Sequence, residues 1–230
     1  CLCANLASHR YFSHHSFRVS RPVQLVLGIA SASSGQGGPL WWASNHTEHH
    51  RHCDQPHDPH SPGVNTACSR TQLFFQVVYA HVLWMTRRRH LDTDVNNVPQ
   101  LASHPELWLC DVLWPRLTDA ALDLLHNATQ AALMPLGWRP DLPSPAVDAL
   151  PLALHLTMLV NSYCHAWGPS SGCAAIDVPW LAFIGGGAGW HSGHHDDPRC
   201  ANHGAIKRGP DATYGVICVL ETLGLASAVR

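Results

Sequence analysis

Charge is scarce in this sequence. Asp, Glu, Lys and Arg make up 13% of its 230 residues, and Lys207 is the one lysine among 14 basic residues. That share is roughly half of what an ordinary soluble domain carries. The formal net charge of −2 gives no basic surface for nucleic acid. With 46% hydrophobic residues, the composition fits either a large core or a membrane protein with a polar head.

Several cofactor and metal motifs are missing. The nine cysteines form no CxxC pair, so we expect scattered reduced thiols in place of a disulfide framework or a zinc ribbon. No CxxCH or strand-linked GxGxxG indicates haem, flavin or dinucleotide. No HExxH supports a soluble zinc hydrolase. If the protein catalyses a redox reaction, the electrons must therefore come from a separate carrier.

Long apolar runs are few. A membrane span needs about 20 predominantly apolar residues. Segment 22–47 begins apolar but becomes rich in Gly and Ser before it reaches that length, which predicts a short helix at an interface. Segment 149–167 is long enough, but Asn161 and His165 are costly in lipid. Segment 117–138 carries acidic residues. The residues alone leave open whether the last two segments span a membrane or are buried helices.

Histidine is abundant instead, with 19 in the chain. Four groups have metal-like spacing: His9 and His14; His46, His49 and His50; Asn161 and His165; His191, His194 and His195. Positions i, i+3 and i+4 share a helix face, so each HxxHH should project three imidazoles one way. The HxxxxH pair turns about 500° on an ideal helix and needs a helix end or an unwound turn to converge.

Nine imidazoles exceed what one metal binds, which indicates two metals. A redox metal there would activate dioxygen, whereas zinc would activate water. Histidines beside the motifs are interpreted as support or surface: His15, His52, His57, His60 and His203. The others are interpreted as structural: His81, His90, His104, His126 and His155.

In order along the chain, these motifs resemble those of the membrane fatty acid desaturases, the stearoyl-CoA desaturase type and its bacterial relatives. The three histidine boxes of that family are matched by "SHRYFSHHSF", "WWASNHTEHHRHCDQPHDPHSP" and "GAGWHSGHHDDP". The family segment NSxxH is matched by "NSYCHAWG". The resemblance covers nearly the whole chain, and the ordered set is far more specific than any single box.

The resemblance implies an acyl-CoA desaturase in which two ferrous ions and dioxygen insert a cis double bond into a fatty acyl chain. It assigns the nine boxed histidines as iron ligands, with Asn161 reaching one metal through water, and no catalytic residue beyond the metal centre. It places Trp84 near the acyl tunnel and Arg88 and Arg89 near the phosphates of CoA. The substrate would be acyl-CoA or another acyl carrier or lipid, and the electron donor a protein such as cytochrome b5 or ferredoxin.

The implied fold is all-α: an integral-membrane helical bundle under a cytosolic helical cap that holds the two metals. Residues 1–230 would form one desaturase domain that lacks the first transmembrane hairpin, since the chain begins at Cys1 and is interpreted as a fragment. Segments 117–138 and 146–166 would be the third and fourth spans. We expect a multi-pass protein of the bacterial inner membrane rather than the endoplasmic reticulum, with its active site on the cytosolic side.

Some residues depart from the family pattern. Ala188 stands where the family usually has Glu, and Ser192 and Gly193 replace an Asn-containing pair. Thr47 and Glu48 replace a more basic pair, which should change headgroup contacts. Two alternatives stay open: a lipid hydroxylase or monooxygenase on the same scaffold, and a degenerate metal-binding membrane protein without turnover.

Overall fold

The computed structural model describes residues 1–62, 69–136, 145–169 and 172–230. A π-helix at Ala4–Ser13 comes first. The α-helices that follow are α1 (Arg21–Ala32), α2 (Pro39–His52), α3 (Arg70–His81), α4 (Pro99–Ala102), α5 (Pro105–Leu133), α6 (Pro145–Ala166), α7 (Pro179–Ile184), α8 (His191–Asp196) and α9 (Ala212–Thr222). Short 3₁₀ turns lie at Leu83–Thr86, Arg88–His90, Val95–Asn97 and Met134–Leu136. The expectation of an all-α fold is confirmed, apart from one two-residue strand pair.

That pair joins the two ends of the described chain. Strand β1 (Arg18–Val19) runs antiparallel to β2 (Ala226–Ser227), with Arg18 opposite Ser227 and Val19 opposite Ala226. Just upstream, the buried guanidinium of Arg10 pairs with Asp211, 2.8 Å away, at the start of α9. The π-helix is thereby fixed against the C-terminal segment.

The π-helix resolves the problem that the HxxxxH spacing raises. In a π-helix residue i+5 bonds to residue i, and the His14 N–H donates to the His9 carbonyl at 3.2 Å. Residues five apart therefore lie one above the other, which an α-helix would not allow. The prediction that this box needs a non-ideal helical turn is confirmed.

Helix α2, which carries the second box, is held at its first turn. Its N-terminus contains Pro39, whose missing N–H costs nothing there. The next two backbone N–H groups, of Leu40 and Trp41, donate to the Asp111 carboxylate of α5 at 2.8 and 3.1 Å. A carboxylate at a helix N-terminus also complements the helix dipole. Asp111 thus sets the position of α2 relative to α5.

The main apolar core packs these elements together. Its largest members include Phe12 of the π-helix, Phe17 just after it, Leu40 of α2, Leu107 of α5 and Ile217 of α9, all buried. Burial of each such side chain contributes about 1.5–3 kcal/mol. This core lies directly under the first and second boxes and makes their backbone rigid.

Helices α5 and α6 contain most of the two segments expected to span a membrane, 117–138 and 146–166; residues 137 and 138 lie outside the described residues. Across the part of the chain that the structure describes, every helix falls short of the combined length and apolarity that a membrane crossing needs. The two spans stay predictions.

Candidate metal centre

Five of the nine boxed histidines come together in a first cluster. Its members are His9, His14, His46, His50 and His194. They come from the π-helix and its end, from α2 and from α8. One ring nitrogen from each lies within 4.8 Å of all the others.

The remaining four form a second cluster: His49, His165, His191 and His195. They come from α2, α6 and α8, and one ring nitrogen from each again lies within 4.8 Å of the rest. The structure therefore brings all nine boxed histidines into two adjacent groups, five and four. Their role as metal ligands stays a prediction.

Each HxxHH motif divides between the two clusters, contrary to the expectation that its three rings face one way. His46 and His50 join the first cluster and His49 the second. On an α-helix, i and i+4 lie about 40° apart, while i+3 lies about 60° to the other side of i. One motif can therefore serve two neighbouring sites. The third box does the same, with His194 in the first cluster and its two neighbours in the second.

Ring nitrogens face one another at short distances in the first cluster. The Nε2 atoms of His14 and His46 lie 2.8 Å apart, and those of His9 and His194 lie 3.0 Å apart. His50 lies 3.1 Å from His46 and 3.0 Å from His194, again between Nε2 atoms. Two nitrogens bound at 2.0–2.1 Å to one ion, roughly at right angles, are about 2.9 Å apart. The spacing fits a shared cation.

The second cluster has the same geometry. The Nε2 atom of His191 lies 2.8 Å from that of His165 and 3.1 Å from that of His195. His49 lies 3.3 Å from His195 between the same atoms. Neutral imidazoles that point their lone pairs at each other repel unless a cation lies between them. Both clusters therefore fit a metal ion, and imidazole suits iron as well as zinc or copper.

Burial disfavours the protonated form of most of these imidazoles. Desolvation, reinforced by repulsion between neighbouring histidines, lowers the pKa of seven boxed rings well below the ordinary 6.5: His9, His14, His46, His49, His191, His194 and His195. The same cause lowers the pKa of His50 to about 4. A metal competes with protons for such nitrogens. At neutral pH these lone pairs are free to bind a metal.

Three rings have an oxygen acceptor behind them. The Nδ1–H of His49 donates to Asp58 at 2.9 Å, and that of His165 donates to Asp54 at 2.9 Å. His9 Nδ1 lies 3.1 Å from the amide oxygen of Asn5. Such acceptors fix the tautomer, so that Nε2 carries the lone pair, and they hold the ring in place.

A fourth ring is backed by sulfur. The Nδ1 atom of His195 lies 3.2 Å from Cys173 Sγ, and Cys173 is disulfide-bonded to Cys53. This corrects the expectation that the thiols are reduced, for one pair of the nine cysteines. The two residues are 120 positions apart in sequence. Spacing could not reveal that the end of α2 meets the loop after α6.

Two histidine rings of the third box differ from these four in what lies behind Nδ1. The Nδ1 atoms of His191 and His194 are buried and have no hydrogen-bond partner within the described ranges. Ala188, which stands where the family usually has Glu, lines a small cavity of about 50 Å³ together with His191. Within the described ranges, these two rings therefore lack the kind of acceptor that the other four rings have.

The acceptors themselves were missed at the level of sequence. Asp54 and Asp58 follow the second box in "HCDQPHDPH", and acidic residues so close to a histidine box were the available signal. Asn5 lies one helical turn before His9. His203 is buried and stacks on His194 with ring centroids 4.4 Å apart. It was interpreted only as support or surface.

Asn161 lies on α6, one turn before His165. It lines both the small cavity and a larger cavity of about 380 Å³, and His46 of the first cluster lines both as well. Its amide nitrogen is 4.0 Å from Met158 Sδ. The contact with a metal through water, which the resemblance implies, stays a prediction.

Trp84 is buried in the wall of the larger cavity, where its ring stacks on Trp41 at 6.1 Å. The wall is mainly aromatic and aliphatic, with Trp42, Leu154 and Met158 among its members. Ligand cavities commonly have this size and character. Trp84 thus lines the same cavity as His46 of the first cluster. Its position near an acyl tunnel stays a prediction.

Arg88 and Arg89 are exposed on a 3₁₀ turn after Trp84. Arg89 lines a polar groove of about 190 Å³, and the groove also contains the carboxylates of Glu48, Asp92 and Asp94. The Arg89 Nε–H donates to His90 Nε2 at 3.0 Å. A role in binding phosphates stays a prediction for both arginines.

Comparison with known proteins finds relatives that are named as desaturases. A lipid 9-desaturase of Nostoc, acting on sn-2 palmitoyl lipids by its name, is 32% identical over 97% of this chain and 75% of its own length. A probable chloroplastic lipid desaturase of Arabidopsis thaliana is 31% identical over 100% of this chain and 60% of its own length. An acyl-CoA C20 Δ5-desaturase of Anemone leveillei is 28% identical over 98% of this chain. No family model matches the chain.

The match to the Nostoc enzyme, over nearly all of this chain and three quarters of the enzyme, identifies the class of protein. The chain belongs to the fatty acid desaturase family. It spans 60% of the length of its Arabidopsis relative. The family resemblance first seen in the histidine boxes is confirmed.

Proposed function

We propose that this protein is an oxygen-dependent desaturase of fatty acyl chains, with two iron ions in the histidine clusters. The main support for this proposal is that the first cluster and the larger cavity share a residue. His46 belongs to the first cluster and also lines that cavity of about 380 Å³. A chain bound along the cavity would pass within reach of the metal centre.

The residues of this chain have distinct tasks in that reaction. The nine imidazoles would hold the ions, and the ions with dioxygen would supply an oxidant strong enough to take hydrogen from unactivated methylenes. Trp41, Trp42 and Trp84 line the cavity. Their rings would orient the acyl chain and exclude water, which is what sets which carbons face the metals. Electrons would come from an external carrier such as cytochrome b5 or ferredoxin.

Exposed apolar side chains support a membrane location. On α3, Phe74 and Phe75 are each 63% exposed, and on α5, Val112 and Leu124 are each 71% exposed. Leu152 of α6 is 62% exposed. Large apolar side chains left open in this number indicate contact with lipid or with another protein surface. The location in a bacterial inner membrane, with the active site on the cytosolic side, is part of the proposal.

The resemblance to the stearoyl-CoA desaturase type favours CoA as the carrier of the acyl chain. The groove at Arg89 supports a second candidate, an acyl chain carried on a membrane lipid. Its three carboxylates, Glu48, Asp92 and Asp94, would repel the phosphates of CoA. Named relatives act on lipids in one case and on acyl-CoA in another.

Product analysis tests the activity. The protein is assayed in membranes with a reduced electron donor, with palmitoyl-CoA in one arm and a palmitoyl glycerolipid in the other. Mass spectrometry should find a monounsaturated acyl chain formed only with dioxygen present. A hydroxylated chain without alkene would support the monooxygenase alternative, and metal binding without any product would support the degenerate protein.

A charge reversal separates the carriers. Glu48→Arg adds a cation to the groove and should lower KM for palmitoyl-CoA several-fold, because phosphates bind arginine well. Glu221→Arg makes the same charge change at an exposed position of α9 and serves as the control. An equal response of both variants would show that the groove does not bind the carrier.

A further inference from the structure

The disulfide Cys53–Cys173 lies at the edge of the second cluster. Cys53 directly follows the last residue of α2, and Cys173 lies in the loop between α6 and α7. Their Cα atoms are 5.2 Å apart, within the ordinary range for such a bridge. The bridge therefore connects the second box to the segment that leads into the third.

Both sulfurs lie behind rings of that cluster. Cys173 Sγ accepts from His195 Nδ1–H at 3.2 Å, and Cys53 Sγ lies 3.9 Å from His165 Nδ1. The loop is held at the next residue too, where the Ala174 N–H donates to Asp54 at 2.8 Å. Of the four rings in the second cluster, His195 is thus the one whose acceptor is a redox-active atom.

Among the described residues, no sulfur lies behind a ring of the first cluster. Its five members are all histidines from the π-helix, α2 and α8, and His9 is backed by the amide oxygen of Asn5. Reduction of the bridge should act on this cluster only indirectly, through His194 on the shared helix α8. The larger response is therefore expected at the second cluster.

We propose that Cys53–Cys173 is a redox switch that controls the order of His195 and with it the metal affinity of the second cluster. This inference builds on the proposed function, because it treats that cluster as a metal site. With the bridge closed, Cys173 Sγ is held against the His195 ring. With the bridge open, the loop loses its covalent tie to α2, and the ring loses a fixed acceptor. Loss of such an acceptor costs about 10–100-fold in metal affinity.

The chemistry needs an external dithiol and a peroxide. In the opening step, a dithiol transfers two electrons and two protons to the bridge, leaving two cysteine thiols and its own disulfide. In the closing step, hydrogen peroxide accepts two electrons and two protons from the thiols, which re-forms the S–S bond and releases two waters. Both cysteines are half-buried, so small reagents can reach them.

Hydrogen exchange on the metal-free protein gives a direct test. Treatment with dithiothreitol should raise exchange in the segments 172–178 and 191–196, leave the π-helix 4–13 unchanged, and be reversed by hydrogen peroxide. Peptide mapping by mass spectrometry should find the Cys53–Cys173 link before reduction. Absence of that link, or unchanged exchange across 191–196 after reduction, would overturn the proposal.

Cobalt binding supplies the second readout. Titration of the metal-free protein with Co²⁺ should show two sites, one of which weakens at least tenfold on reduction while the other weakens less. The double variant Cys53→Ser/Cys173→Ser should behave as reduced protein in any redox state. Cys3→Ser, which removes an exposed free thiol, should respond to reduction like the parent protein.

The outcomes separate this proposal from the proposed function. Two cobalt sites that are equal in both redox states would leave the metal centre intact and refute the switch. A new thiolate–cobalt absorption band after reduction would make the pair a metal site, which also refutes the switch. Failure to bind cobalt in either state would refute the metal centre, while the exchange experiment would still decide whether the bridge orders His195.

Discussion

The nine boxed histidines, here called the histidine cage, are not all supported in the same way. Behind the rings of His49 and His165, carboxylates accept the Nδ1–H at 2.9 Å. Behind His191 and His194, the buried Nδ1 atoms meet no hydrogen-bond partner in the described part of the chain. We call His49 and His165 the anchored side of the cage, because hydrogen bonds hold their rings. We call His191 and His194 the packed side, because among the described residues packing alone holds theirs. Metal affinity should respond unequally to changes on the two sides.

The anchored side owes its support to one short stretch of chain. Asp54 and Asp58 lie just after α2, and Asp58 also accepts from the backbone N–H groups of Asp54 and His60 at 2.8 and 3.0 Å. Burial raises the pKa of Asp58 to about 8. A bound cation would reverse that effect, since its charge favours the carboxylate.

The largest effect should follow loss of a ring from either side. His49→Ala and His194→Ala should each abolish desaturation and lower the iron content of the purified protein, since each removes one nitrogen from a cluster. His57→Ala removes an exposed histidine near the second box and is the matched control. Activity retained in either cage variant would refute its ligand role.

A smaller loss should follow weakening of the anchored side. Asp54→Asn and Asp58→Asn keep the shape of the side chain but remove the charged acceptor, so metal affinity should fall about 10–100-fold. Asp123→Asn makes the same change at an exposed position of α5. Titration of the metal-free variants with Co²⁺ measures the difference. Affinities equal to that of the control would show that the carboxylates do not tune the rings.

Features of the cage that depend on residues close in sequence could be predicted, whereas contacts between distant segments could not. The His9–His14 spacing correctly required a non-ideal turn, because that requirement follows from local geometry. The prediction that each HxxHH motif projects its three imidazoles one way was wrong. The division of each motif between two clusters was missed. The pairing of Cys53 with Cys173 and of Asp54 with His165 joins segments 120 and 111 residues apart. Only the tertiary fold decides such contacts.

The smallest effect is a gain on the packed side. Ala188→Glu would place a carboxylate in the small cavity that Ala188 and His191 both line. If that carboxylate accepts the His191 Nδ1–H, metal affinity should rise by about tenfold at most. Ala188→Gln is the uncharged control, and Co²⁺ titration again gives the readout. An unchanged or weaker affinity with Glu would mean that the packed side needs no acceptor.

The central claim is that nine imidazoles hold two iron ions. Mössbauer spectroscopy with quantitative metal analysis, on protein purified from ⁵⁷Fe-supplemented cells, tests it most directly. The account predicts two iron ions per chain, both in nitrogen-rich environments, and a loss of signal in His49→Ala and His194→Ala. One zinc ion per chain, or no iron, would contradict it.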